Sequence, residues 1–431
     1  MTKTPQKEQK AIDTIRLLAS DAVEKAGSGH PGMPMGCADF AFTLWSKFLR
    51  FNPDEPEWIG RDRFILSAGH GSMLLYSLLH LFEFDLPLEE LKQFRQWGSK
   101  TPGHPEQGLT PGVEVTTGPL GTGFTTGVGM AIAGKQLAAR MENEELFNQR
   151  IFALSSDGCM MEGVTHEAAS LAGHNKLDNL IVFYDSNKIT IEGSTDLAFS
   201  EDVGKRFEAY GWNVLRIDGQ DTEQIEDALE KAIACTDGPT LIVGTTTIGF
   251  GSPKKAGHNS SHGAPLGEDE IAEAKAAMGF PPDQSFIVDD ETRDLCHQYV
   301  QQKKEQAANW NKKFETFKKN NPEKADLLNQ LIEKPIPENL EEELLNVTAS
   351  KEDATRKTGG LALQRAAALI PSLTGGSADL APSTKTLMEE EGDFCPADYS
   401  GRNLHFGVRE FCMGLCANGI ALYNTGLPYT S

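Results

Sequence analysis

Short apolar runs that alternate with helical patterns constrain the fold of this chain more than any other feature of its sequence. Five of these runs predict buried strands, because they are short and mostly bounded by Gly, Asp or Asn: residues 63–67, 150–156, 179–184, 213–217 and 240–245. Helical patterns such as residues 222–235 lie between them. This alternation predicts an α/β fold with a doubly wound parallel sheet, in which ligands bind at the carboxyl ends of the strands.

The composition divides the chain into two α/β segments. Residues 1–320 contain the five predicted strands and begin with an amphipathic helical pattern. Residues 321–348 are rich in Lys, Glu and Asn, are interrupted by Pro335 and Pro337, and read as a linker. Residues 349–431 read as a second α/β domain.

The net charge of the chain argues against two classes of partner. The chain has 40 basic and 62 acidic residues, a formal net charge of −22, and no basic block. We therefore expect no nucleic-acid partner and no membrane partner.

The seven cysteines form no C-x-x-C pair and are odd in number, which indicates reduced thiols in a cytoplasmic protein.

Polar residues follow two of the predicted strands. Asp157 comes after the second apolar run and Asn187 after the third, so both lie at the same edge of the predicted sheet. Carboxylate and amide oxygens suit Mg²⁺ or Ca²⁺, and Gly158 permits the close approach of backbone to a ligand. A helix N-terminus after Gly158 would favour phosphate oxygens. Taken alone, Asp and Asn at strand ends are more often turn and cap residues.

Four of the ten histidines lie in loops rich in Gly, Pro or Ser: His30, His70, His104 and His262. A single histidine in a loop is usually an ordinary surface residue. Four with such neighbours predict imidazoles that rigid turns direct into a shared cleft.

Together these motifs resemble the transketolase family. The matching segments, in family order, are residues 27–32, 67–71, 117–121, 157–163, 248–253 and 262–267, followed by 354–357, 375–379 and 406–410. The sequence departs from the family's Gly-Asp-Gly pattern at Ser156, where we expect the small polar residue to be tolerated.

The resemblance implies a thiamine-diphosphate fold, completed by a second, pyrimidine-binding domain, and a role for each matching residue. The implied metal ligands, for Mg²⁺ or Ca²⁺, are Asp157, the Asn187 side chain and the Ile189 carbonyl. The implied contacts to thiamine diphosphate are His70, Gly118, Pro119, Leu120, Gly158, Asn187, His262, Asp379 and Glu410. The implied contacts to the sugar are His30, His104 and His262, which also transfer protons, and Arg356 and Ser383, which hold its phosphate. The Glu410 carboxyl is implied to activate the cofactor by hydrogen bonding to its pyrimidine ring.

The implied activity is transfer of a two-carbon ketol unit from a ketose phosphate such as xylulose 5-phosphate to an aldose phosphate such as ribose 5-phosphate. This reaction belongs to the pentose phosphate pathway and the Calvin cycle, and the implied assembly is a homodimer with its active site at the interface. Two alternatives stay open: a sister enzyme such as dihydroxyacetone synthase or 1-deoxyxylulose-phosphate synthase, and a non-catalytic product that dimerises or binds cofactor without turnover.

Family members continue beyond residue 431, so we expect an incomplete second domain. On that basis the apolar helical pattern at residues 409–423 is expected to lack a covering surface, and this chain alone is expected to be inactive and poorly soluble.

Overall fold

A five-stranded parallel sheet forms the centre of the first domain. The computed structural model describes residues 4–349 and 352–431, so the parts of the predicted domains at residues 1–3, 350 and 351 lie outside the described residues. The strands are β1 (Arg63–Leu66), β2 (Ile151–Ser156), β3 (Leu180–Ser186), β4 (Asn213–Asp218) and β5 (Thr240–Thr245). Their order across the sheet is β1-β2-β3-β5-β4, and every neighbouring pair is parallel. All five predicted strands and the predicted fold class are confirmed.

Helices cover both faces of this sheet. They are α1 (Gln6–Ala26), α2 (Gly32–Thr43), α3 (Ser72–Leu81), α4 (Leu88–Leu91), α5 (Thr122–Met141), α6 (Asp157–Met161), α7 (Gly163–His174), α8 (Val203–Ala209), α9 (Thr222–Ala234), α10 (Glu268–Ala277) and α11 (Asp290–Asn320). Successive residues of a strand point to opposite faces. Phe152 and Leu154 therefore join one hydrophobic core, and Ile151 and Ala153 join the other.

The segment read as a linker contains two helices, α12 (Pro322–Glu333) and α13 (Leu340–Thr348). Pro322 stands at the first position of α12, where its missing N–H costs no helical hydrogen bond. Leu328 and Leu331 are each 1 % exposed and belong to the core of the first domain. This burial explains why the polar segment is helical.

The second domain has a three-stranded parallel sheet in the order β7-β6-β8. Its elements are α14 (Thr355–Leu369), β6 (Leu373–Ser377), α15 (Ala381–Thr384), β7 (Asn403–His405), α16 (Glu410–Tyr423) and β8 (Leu427–Thr430).

Helix α16 packs against α5 of the first domain. Cys412, Cys416 and Ile420 are almost completely buried there. The absence of a side chain at Gly129 permits this close contact. A Cβ atom added there would lie only 2.1 Å from the carbonyl oxygen of Cys416. The expectation that this helix lacks a covering surface is therefore wrong for one of its faces, although Phe411 remains 78 % exposed.

No helix within residues 4–349 and 352–431 is long and apolar enough to cross a membrane.

Candidate active site

Three histidine rings meet at the carboxyl end of the first sheet. His30 lies between α1 and α2, His70 in the turn after β1, and His262 in the loop after β5. The ring centroid of His30 is 5.2 Å from that of His70 and 5.8 Å from that of His262. The rings of His70 and His262 are stacked, with centroids 5.2 Å apart. The predicted shared cleft is therefore present for these three imidazoles.

Glycines allow the loops that carry these rings to touch one another. The N–H of Gly249 donates to the carbonyl of Gly32 at 2.8 Å. A Cβ atom on Gly32 would lie 2.5 Å from the backbone oxygen of Ser261, so a larger residue there would separate the loops of His30 and His262.

The environment of the rings favours neutral imidazole. Burial, with smaller effects from His262, Arg95 and His104, lowers the pKa of His30 to about 4. Burial also lowers the pKa of His70 well below its ordinary value and lowers that of His262. A neutral imidazole can both accept and donate a hydrogen bond, and it can exchange a proton with a bound ligand.

Two of these rings have an unpaired polar atom. Among the described residues, no hydrogen-bond partner reaches Nδ1 of His30 or Nδ1 of His262, and both atoms are buried. Buried polar atoms in native proteins are usually paired, so these two suit a polar ligand.

Asp157 begins α6 and is 3 % exposed. Its Oδ1 accepts a hydrogen bond from the hydroxyl of Tyr184 at 2.6 Å, and its Oδ2 accepts one from the backbone N–H of Lys188 at 2.9 Å. Burial raises the pKa of this carboxyl to about 7, although the bond from Tyr184 acts in the opposite direction. A cation beside it would offset the cost of burying the negative charge.

Asn187 and Ile189 lie in the turn after β3, the strand next to β2 in the sheet. The Asn187 amide nitrogen donates to Asp185 at 2.8 Å, and its oxygen accepts from the N–H of Ile189 at 2.9 Å. Each acceptor oxygen of Asp157 and Asn187 keeps a lone pair, which fits these residues to a hard divalent cation.

A cavity of about 510 Å³ unites most of the predicted residues of this half of the site. Its lining includes His30, His70, His104, Gly118, Leu120, Asp157, Gly158, Asn187, Ile189 and His262. Pro119 is exposed and is not among the lining residues, although both of its neighbours are. The loop residues Ile191 and Leu197 also line the cavity and are 68 % and 71 % exposed.

The other predicted residues lie outside this cavity. Asp379 lines a separate cavity of about 880 Å³ in the second domain. Glu410 is the exposed first residue of α16, Arg356 is exposed in the first turn of α14, and Ser383 is exposed on α15. Within one chain, therefore, the residues predicted to contact the pyrimidine and the sugar phosphate do not meet the histidine cluster.

Ser156 has ordinary extended backbone, with φ −114° and ψ 175°. Because any residue adopts this conformation, a serine requires no special backbone geometry where the family pattern has glycine.

The sequence reasoning did not identify Tyr184 and Asp185 as site residues. Both are buried at the end of β3 and hydrogen-bond to predicted metal ligands. One sequence signal was available: Asp185 is a charged residue at the end of an otherwise apolar strand, and such residues are rarely buried unless paired.

Each domain matches the model of a known protein family. Residues 7–337 match the family model of the transketolase thiamine diphosphate binding domain, and residues 351–431 match that of the transketolase pyrimidine binding domain. The chain belongs to the transketolase family.

Individual relatives agree with this family. The chain is 52 % identical over 422 residues to a transketolase of Geobacillus stearothermophilus, covering 96 % of this chain and 63 % of that protein. It is 49 % identical to the chloroplastic transketolase-1 of Arabidopsis thaliana, covering 97 % and 58 % of the two chains. The chain thus spans somewhat less than two thirds of the length of these curated relatives.

Solved structures match equally well. A transketolase from Pichia stipitis in complex with sedoheptulose 7-phosphate superimposes with a TM-score of 0.95 at 45 % identity, covering 99 % of this chain and 64 % of that one. A transketolase from Leishmania mexicana gives a TM-score of 0.94 at 40 % identity, covering 98 % and 64 %.

Proposed function

We propose that this chain carries the cofactor-binding part of a transketolase that moves a two-carbon ketol unit from a ketose phosphate, such as xylulose 5-phosphate, to an aldose phosphate, such as ribose 5-phosphate. The observation that carries the proposal is the cavity in which His30, His70 and His262 face Asp157 and Asn187. Family membership makes thiamine diphosphate the group that fits this cavity.

In this proposal Asp157, the Asn187 side chain and the Ile189 carbonyl would hold Mg²⁺ or Ca²⁺, which would offset the negative charge of the diphosphate. Gly158 leaves room for the diphosphate, since a Cβ atom there would lie 2.6 Å from the Leu120 side chain. His70, His262 and residues 118–120 complete the contacts to the cofactor.

Bound thiamine diphosphate supplies the electron sink for breaking and forming the carbon–carbon bond. The neutral imidazoles of His30, His104 and His262 hold the sugar hydroxyls and exchange protons with them. Arg356 and Ser383 bind the sugar phosphate, where a guanidinium gives a strong charge-assisted contact. The Pichia stipitis relatives solved with sedoheptulose 7-phosphate and with xylulose 5-phosphate support this substrate class.

We infer that the working unit is a homodimer in which Glu410 and Asp379 complete the cavity of the partner subunit. Two observations support this arrangement. Glu410 stands beside exposed apolar residues, Val408 at 74 % and Phe411 at 78 %. The cavity has its own exposed apolar rim, formed by Ile191 and Leu197.

We further propose two domains with the bounds 1–320 and 349–431, joined by the connecting residues 321–348, of which α12 packs on the first domain, and a cytoplasmic location. All seven cysteines carry free thiols, which fits a reducing compartment.

The proposal is tested first by cofactor binding. Calorimetry is expected to show tight thiamine-diphosphate binding that requires Mg²⁺ or Ca²⁺ and is lost in Asp157→Ala. Asp237→Ala, at a side chain that is 89 % exposed, serves as the control. Metal-independent binding, or unchanged affinity in Asp157→Ala, would refute the ligand assignment.

The second test is turnover. The protein carrying this chain is expected to convert xylulose 5-phosphate and ribose 5-phosphate to sedoheptulose 7-phosphate and glyceraldehyde 3-phosphate. Preference for formaldehyde as the acceptor, or for pyruvate as a donor that loses CO₂, would instead identify a sister enzyme. Cofactor binding without turnover would identify a non-catalytic protein.

A further inference from the structure

The end of β3 supplies two buried side chains that hold predicted metal ligands in place. Tyr184 and Asp185 are 4 % and 1 % exposed, and as successive strand residues they point to opposite faces of the sheet. Tyr184 donates to Asp157 on β2's side of the site, whereas Asp185 accepts from Asn187 two residues further along the chain.

The contact between Asp185 and Asn187 determines which way the amide faces. An asparagine side chain carries an acceptor oxygen and a donor nitrogen of similar shape, and a rotation of 180° exchanges them. A carboxylate only accepts hydrogen bonds. Asp185 therefore requires the amide nitrogen of Asn187 on its side, at 2.8 Å, and the amide oxygen on the other.

Asp185 is itself fixed. The hydroxyl of Thr246, which follows β5, donates to Oδ1 of Asp185, while the amide nitrogen of Asn187 donates to Oδ2. The strands β3 and β5 are neighbours in the sheet, and this bond ties the position of the carboxylate to the register between them. The backbone N–H of Ile189 completes the arrangement by donating to the Asn187 oxygen at 2.9 Å.

We propose that Asp185 is a positioning residue that keeps the amide oxygen of Asn187 turned toward the metal and its amide nitrogen turned away. The inference rests on the proposed function, because it takes Asn187 as a ligand. Without the carboxylate, the amide could present its N–H₂ group to the cation, which repels it and supplies no lone pair.

The deciding variant is Asp185→Asn, which has nearly the same shape but can donate as well as accept. We expect the affinity for Ca²⁺, measured by calorimetry in the presence of thiamine diphosphate, to fall at least about tenfold, as is typical when an outer partner of a metal ligand is lost. Tyr184→Phe is the matched comparison. This variant removes one hydrogen bond to Asp157. Because the two oxygens of a carboxylate are equivalent, rotation of Asp157 still presents an oxygen to the metal, and we expect a smaller loss of Ca²⁺ affinity.

A crystal structure of the Asp185→Asn protein with Ca²⁺ and thiamine diphosphate separates orientation from simple loss of charge. We expect water in place of the Asn187 oxygen in the coordination shell. Coordination by that oxygen as in the parent protein, or unchanged Ca²⁺ affinity, would overturn the inference.

The exchanged pair Asp185→Asn with Asn187→Asp keeps the total charge and a hydrogen bond between the two positions, so it addresses the case in which the single variant does not fold. Because the two oxygens of a carboxylate are equivalent, this pair is expected to bind Ca²⁺ within a few-fold of the parent. Loss of binding in the exchanged pair would contradict the proposed role. Failure of the parent protein itself to bind Ca²⁺ and thiamine diphosphate would refute the proposed function instead.

Discussion

The imidazole rings of His70 and His262 lie face to face, with their planes inclined by only 23° and their centroids 5.2 Å apart. Two protonated rings at this separation would repel each other in a partly buried site. The cluster is therefore built to work with neutral rings, and its charge state gives the first prediction.

His30 is expected to titrate with a pKa of about 4, far below the ordinary value of a histidine. The unfolded chain then binds this proton at a higher pH than the folded chain, so the free energy of unfolding should decrease as pH falls from about 6.5 to about 4. Because the ring is only partly buried, solvent screening makes this loss of stability smaller than the full pKa shift would give. Imidazole resonances assigned by comparison with His30→Gln measure the pKa directly, and a value near 6.5 would disprove the prediction.

In the whole protein that carries this chain, Glu410→Gln should leave thiamine diphosphate bound while slowing exchange of the cofactor's C2 proton at least about a hundredfold, because a carboxamide cannot relay a proton to the pyrimidine. Hydrogen–deuterium exchange followed by NMR is the measurement. Glu390→Gln, at another exposed glutamate of the second domain, provides the control. Parent-like exchange in Glu410→Gln would remove this residue from the mechanism.

In the whole protein that carries this chain, Arg356→Ala should raise KM for phosphorylated ketoses by roughly tenfold to a hundredfold, the equivalent of about 1.5–3 kcal/mol for one charged hydrogen bond. An unphosphorylated ketose should be affected little, since the contact proposed for Arg356 is to the phosphate. Arg293→Ala, on α11, controls for the loss of an exposed arginine. Equal losses for both kinds of substrate would show that Arg356 does not recognise phosphate.

Gly129→Ala should destabilise the chain, because the new Cβ atom would lie 2.1 Å from the Cys416 carbonyl oxygen and must push α5 and α16 apart. We expect the free energy of unfolding in urea to fall by about 1–3 kcal/mol. Gly414→Ala, which meets no atom within 4 Å, should be neutral or stabilising through its better helix propensity. Similar stabilities of the two variants would contradict the close packing of these helices.

The sequence was sufficient to predict the first sheet, because a strand buried on both faces leaves a continuous apolar run such as residues 151–154. The edge that carries Asp157 and Asn187 followed from that prediction. The helix α12 was missed although Leu328 and Leu331 recur at helical spacing, because the surrounding Lys, Glu and Asn residues give the segment the composition of a linker.

The hydrogen-bond partners of Asp185 could not be predicted from the sequence, for a different reason. Its bond to Thr246 joins two strands that are neighbours in space but far apart in sequence, and no local pattern records which strands become neighbours. The same holds for α16, whose covering surface comes from α5 of the other domain.

The close approach of Gly32 to Ser261 has a consequence for the order of folding. These residues are far apart in the sequence of the first domain, so their contact closes a very long loop. Closing it costs conformational entropy, and we therefore expect the contact to form late in folding. During synthesis from the N-terminus, His30 and His70 leave the ribosome well before His262. The histidine cluster can therefore become complete only after β5 has joined the sheet, and the part of the cavity that the first domain supplies should form only at that stage.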